Sequence, residues 1–170
     1  GGKALSSSVK AAIIGLILVM LFMILNYSLS GVVASIGLAI YTTVTVALIY
    51  LFEITLTLPG IAGVILGIGM AVDANVIIIS RIREEIAAGK SVLTSIKTGY
   101  KKAMSAIIDG NVTTFIAALV LMWLGSGTVK GFAYTLIISL IVSMFTALVI
   151  SRLLNLAFYA VGCRNEKLYG

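Results

Sequence analysis

Long apolar runs alternate with short polar breaks along this chain, and the runs exceed what the buried elements of a soluble fold require. Five spans are predicted, from about Val9 to Tyr27, Gly31 to Phe52, Pro59 to Ser80, Ala103 to Leu124 and Gly131 to Leu154. Each is close to the roughly 20 apolar residues that cross about 30 Å of hydrocarbon at about 1.5 Å per residue. None shows the period-two alternation of a membrane barrel strand, and a helix satisfies its own backbone in lipid. The expected class is therefore an all-α membrane protein, with residues 1–170 forming a single transmembrane domain. Pro59, the lone proline, stands at the start of a run, where a helix tolerates it. The connectors Asn26 to Ser30, Glu53 to Leu58 and Gly125 to Lys130 are short, so the spans they join are expected to be antiparallel neighbours.

Arg81 to Lys102 is the longer, charged connector. Ile86, Val92, Ile96 and Tyr100 recur there at helical spacing among Lys90, Lys97, Lys101 and Lys102. The pattern fits an amphipathic helix lying along the cytoplasmic headgroups, and equally an ordinary soluble helical connector.

Composition sharpens the membrane reading. Of 170 residues, 61% are hydrophobic and 11% charged, which leaves too few polar side chains to cover a soluble surface. The net charge of +6 raises the question of nucleic acid, and the placement of the charges answers it. Arg81, Arg83, Lys90, Lys97, Lys101, Lys102, Arg152, Arg164 and Lys167 fall on one side of the predicted topology. Lys3, Lys10 and Lys130 fall on the other. Basic loops stay cytoplasmic, so the N-terminus is expected outside and the C-terminus in the cytoplasm. Anionic lipid then accounts for the positive charge.

Cys163 alone supports neither an internal disulfide framework nor a zinc site, and no cofactor or metal is expected. Histidine is absent, so any proton chemistry falls to carboxylates. Residues 1–10 lack a leading methionine and the basic start of a signal peptide, and the Gly-Gly start reads as the cut edge of a longer protein.

Most charges lie at span ends, but Asp73 sits inside Gly69-Met70-Ala71-Val72-Asp73-Ala74-Asn75-Val76, eight residues before Arg81. That separation is about 12 Å along a helix. A charged aspartate at this depth costs at least about 2.5–3.5 kcal/mol, so such residues face a cavity or a partner and mark function by default. Desolvation raises a carboxyl pKa and a nearby cation lowers it, so an aspartate with a changing partner can load and release a proton. The competing reading is a hydrogen-bonded structural aspartic acid. A second polar cluster, Asp109-Gly110-Asn111-Val112-Thr113-Thr114, opens the fourth span. Asp109 reads either as the mouth of a proton path or partner of Asp73, or as part of a patch that bonds helices together. Neither aspartate has an evident cation within the spans, which points to another chain. Gly60, Gly63, Gly67 and Gly69 read as helix-packing positions, with Gly63 and Gly67 forming a small-xxx-small element.

Several of these motifs carry a family resemblance. Leu58-Pro59-Gly60-Ile61-Ala62-Gly63, then Gly67 through Val76, then Arg81-Ile82-Arg83-Glu84-Glu85, resemble the fourth-span signature of the SecD branch of the SecD/SecF protein-export family. Asp109 through Thr114, Gly125 through Ala133 and Ser143 through Ala147 resemble its following signatures in order. The chain departs from the family pattern at three positions, with Gly110 where alanine is usual, Thr128 where proline is usual and Ser80 where glutamate is usual. The resemblance covers essentially the whole chain. It implies a fold similar to half of a resistance-nodulation-division transporter. It also implies pairing with SecF, separate or fused, and association with SecYEG in the cytoplasmic membrane. Proton flow would then drive an extracytoplasmic domain, absent here, that holds the preprotein. Asp73 matches the family's proton-carrying aspartate, Asp109 is the second candidate, and Asn75, Asn111, Thr113 and Thr114 are supporting polar positions.

Two other functions share these features, a proton-driven lipid or drug exporter of the same superfamily and a non-conducting translocon scaffold. An intramembrane aspartyl protease also uses two aspartates. That reading fails on sequence, because Met70-Ala71-Val72 separates Gly69 from Asp73 and Ile108 precedes Asp109 where a tyrosine is expected. No enzymatic activity is expected.

Overall fold

In lipid a helix must satisfy its own backbone, and the computed structural model shows helices throughout the apolar runs. It describes residues 2–162 and 169, excepting the Ser28 side chain; Cys163, Arg164 and Lys167 lie outside the described residues. Five helices are long and apolar enough to cross a membrane: α1 (Gly2–Tyr27), α2 (Leu29–Leu51), α3 (Leu58–Ala87), α4 (Val92–Leu124) and α5 (Thr128–Val161). No strand occurs among the described residues. The chain is an integral membrane protein built as an all-α bundle.

Helical backbone runs from Gly2 to Leu51, yet it contains two spans that fold back on each other. Ser35 Oγ donates to the Met20 carbonyl at 3.2 Å, which a straight helix could not allow fifteen residues apart. Gly31 makes the reversal possible, since a Cβ there would strike the Met23 backbone. At the other end of α2, Ile54 N–H closes onto the Ile49 carbonyl at 3.0 Å. The cap residue Glu53 is forced to φ 53, a conformation that favours glycine. Thr57 then caps α3 by accepting from Gly60 N–H at 3.1 Å, with Pro59 in the first turn.

α3 is the hub, packed against α5, α4 and the α1–α2 hairpin. Its contact with the parallel helix α5 is close. A Cβ at Gly63 would meet the Thr135 side chain and, at 3.1 Å, the Phe132 carbonyl; one at Gly67 would meet the Tyr41 hydroxyl and Ser139. Gly60 has more room, with Thr57 Oγ1 at 3.3 Å and Thr135 Cγ2 at 3.6 Å from a built Cβ. Gly69 departs from the expected set of packing glycines. It is exposed with nothing within 4 Å, because it lies two residues, about 200°, around the helix from Gly67. α5 carries a π-turn over Thr146–Ile150, just before Ser151 meets α3.

A separate amphipathic helix over Arg81 to Lys102 is not found. α3 and α4 both continue as helices past the apolar run and turn over residues 88–91, where Ser91 caps α4. The helical spacing seen in sequence arises because Val92, Ile96 and Tyr100 pack against Ile78 and Ile82 of α3, with Ile86 alongside. Those side chains pair two helices with each other, leaving no apolar face for the headgroups. Glu85, buried beneath the turn, receives both Lys90 and Lys102. Arg83 stacks 4.9 Å over the Tyr27 ring and tethers the α1–α2 reversal to the same end.

Two predictions follow from backbone geometry. Gly67→Leu should destabilise the bundle by about 1–3 kcal/mol through overpacking, while Gly69→Ala should change stability by less than about 0.5 kcal/mol; thermal unfolding in detergent measures both. Glu53→Gly should stabilise by about 1 kcal/mol in the same assay, since glycine adopts the left-handed cap without strain.

Candidate functional site

Asp73 lies on α3 about 22 Å from Leu58 and about 12 Å short of Arg81, near the middle of a helix long and apolar enough to cross a membrane. The helix turns it away from its own packing face. Ala71, Ala74, Asn75 and Ile78 are buried against neighbours, whereas the Asp73 side chain is exposed on the side of α3 that faces α4. There it lines a cleft of about 170 Å³ with Met70, Ala74 and Ile77 from α3 and Ala106, Ile107, Gly110, Asn111 and Thr114 from α4. Among the described residues no lysine or arginine lines this cleft. Among the described residues Asp73 has no ion-pair partner.

The two polar signatures therefore meet only in part. Asn111 and Thr114 reach the Asp73 cleft, and Gly110 leaves open space in its wall. Each polar side chain is tied to its own helix, Asn111 Nδ2 to the Ile107 carbonyl at 2.7 Å and Thr114 Oγ1 to the Gly110 carbonyl at 3.2 Å. These bonds hold them in place without covering the carboxylate. Asp109 does not line the cleft and is exposed. It stands two residues, about 200°, from both Ile107 and Asn111, and so faces away from α3. Thr113 is also exposed and bonds to the Asp109 carbonyl at 3.1 Å.

Asn75 has a different setting. It is buried on the far side of α3, donates to the Ala71 carbonyl at 3.0 Å and accepts from Ser151 Oγ at 3.3 Å. It joins α3 to α5 just past the π-turn. A buried polar seam continues along α5. Asn155 Nδ2 donates to the Tyr100 hydroxyl at 2.6 Å, and the Tyr41 hydroxyl, beside Ser139 and Thr45, donates to the Val64 carbonyl at 3.3 Å. Sequence reasoning missed this seam. Its signal was the spacing Thr135, Ser139, Ser143, a hydroxyl on every fourth residue of one helix face.

A small cleft midway along a helix of membrane-crossing length, with an aspartate unpaired among the described residues, narrows the possible relatives, and likeness to known proteins decides among them. The family described as protein export membrane protein SecD/SecF, C-terminal, matches residues 1–160. The chain belongs to the SecD/SecF family. The protein translocase subunit SecD of Synechocystis is 53% identical over 156 residues, covering 92% of this chain and 33% of that protein. SecD of Dictyoglomus turgidum is 47% identical, covering all of this chain and 43% of its own length. The crystal structure of SecDF, a translocon-associated membrane protein from Thermus thermophilus, superposes with a TM-score of 0.89 at 36% identity, over 93% of this chain and 22% of that one. The chain thus spans less than half the length of these relatives. Its five-helix architecture is that of the SecDF membrane domain.

The two asparagines should separate by experiment. Asn75→Ala should lower stability by about 1–2 kcal/mol, because it removes a buried inter-helix hydrogen bond. Asn111→Ala should be nearly neutral in the same unfolding measurement, because its bond lies within one helix.

Proposed function

We propose that this chain is the membrane half of a SecD subunit of the Sec translocase, and that proton binding and release at Asp73 couples the proton motive force to preprotein movement. The observation that carries this reading is the placement of Asp73, inside the hydrocarbon depth yet facing a cleft that this chain leaves open and uncompensated. A carboxylate there is expensive without a partner and cheap with one, so its protonation follows whatever approaches the open face. A partner that brings and withdraws a cation would load and unload a proton. SecF, separate or fused, is the proposed partner, SecYEG the associated channel, and an extracytoplasmic domain outside this chain the element that holds preprotein. The basic ends of α3 and α4 would lie in the cytoplasm, following the distribution of lysine and arginine.

The energy suffices. One charge crossing about 100 mV supplies about 2.3 kcal/mol, enough to shift a two-state equilibrium by more than tenfold. Asp109, which faces away from the cleft, has at most an auxiliary part in this scheme, and Asn111 and Thr114 shape the cavity around the carboxyl group.

In the full-length protein reconstituted with its translocon, Asp73→Asn should assemble normally and lose the gradient-dependent component of export. Asp109→Asn should retain most of it. Unchanged gradient-dependent export in Asp73→Asn would remove the aspartate from the mechanism and favour a scaffold.

A further inference from the structure

The basic end of the bundle contains two kinds of cation. Lys90 and Lys102 share Glu85 as their ion-pair partner, Arg81 pairs with Glu84 at 3.1 Å, and Arg83 is stacked on Tyr27. Lys97, Lys101 and Arg152 make no ion pair among the described residues. These three converge on one cleft of about 270 Å³ between α4 and α5, completed by Thr98 and Met104, with no acidic side chain in its lining among the described residues.

Depth identifies what such a cleft meets. α4 and α5 are joined by a tight connection at residues 125–127, so their ends there are level. Lys101 lies 23 residues before Leu124 on α4, and Arg152 lies 24 residues after Thr128 on α5. Both distances are about 35 Å along a helix, just beyond about 30 Å of hydrocarbon. The three cations therefore stand together at headgroup level. Met104, the apolar lining residue, lies a turn nearer the membrane interior, where an acyl chain begins.

We propose that Lys97, Lys101 and Arg152 form a binding site for the phosphate of an anionic membrane lipid. The guanidinium of Arg152 suits two phosphate oxygens at once, the lysines add charge from the facing helix, and the Thr98 hydroxyl offers a further donor. A lipid held here bridges α4 and α5 at the end opposite their connecting turn. The site is distinct from the Asp73 cleft and shares no residue with it.

The test uses the purified full-length protein and native mass spectrometry with phosphatidylglycerol, phosphatidylcholine and inorganic phosphate as separate probes. The native protein should retain phosphatidylglycerol over phosphatidylcholine. Replacing Lys97, Lys101 and Arg152 by glutamine, singly and together, should weaken that retention about fivefold per cation removed. Lys130→Gln, at the other end of the bundle, should leave it unchanged, and equal thermal unfolding of the variants would show that the fold is intact. Equal binding of the two lipids by the native protein, or undiminished preference in the triple variant, would overturn the site. Displacement of phosphatidylglycerol by low-millimolar inorganic phosphate would make free phosphate the ligand and overturn the lipid assignment.

Discussion

The close approach of α3 to α5 organises this bundle. Between helices in lipid no hydrophobic force operates, since lipid tails are as apolar as leucine; association depends on packing and on hydrogen bonds across the contact. Gly63 and Gly67 remove the side chains that would hold the helices apart, and Thr135 and Ser139 fill the space with small hydroxyl-bearing groups. Further along, the Asn75–Ser151 bond continues the same contact. Because this face of α3 is committed to α5 and α2, the opposite side is left for Asp73.

That division of faces has a consequence for chemistry. A carboxylate on the packed side would be surrounded by fixed neighbours and would serve as a structural hydrogen-bonding group. On the α4 side it borders a small cavity whose polar members, Asn111 and Thr114, are already satisfied by their own helix. The carboxyl group thereby has no ion-pair partner among the described residues of this chain. The π-turn at Thr146–Ile150 lies in α5 next to the Ser151 contact, a local irregularity of the kind often found near working parts of helices.

At the basic end, charge is distributed with the same economy. Glu85 draws two lysines inward and fixes the α3–α4 turn, and Arg83 anchors the first hairpin through Tyr27. Isolated exposed ion pairs such as Arg81–Glu84 add little. Among the described residues, the cations of this end that make neither an ion pair nor a ring contact are gathered between α4 and α5.

The all-helical membrane class follows from local composition: the apolar runs are long, and lipid forces each to satisfy its own backbone. The placement of Asp73 within such a run, and its cost there, is equally a local property. Three features needed the third dimension. Val92, Ile96 and Tyr100 have the same spacing whether they face headgroups or the neighbouring helix, and only the pairing of α3 with α4 decides between these. Gly67 and Gly69 are identical in sequence terms, and helix rotation alone puts one in contact and the other in the open. Asp109 and Asn111 are two residues apart, so they occupy opposite sides of α4, and the packing of that helix determines which one shares a cleft with Asp73. A periodic sequence states which residues lie on a common face; which neighbour that face meets depends on contacts between segments distant in the chain.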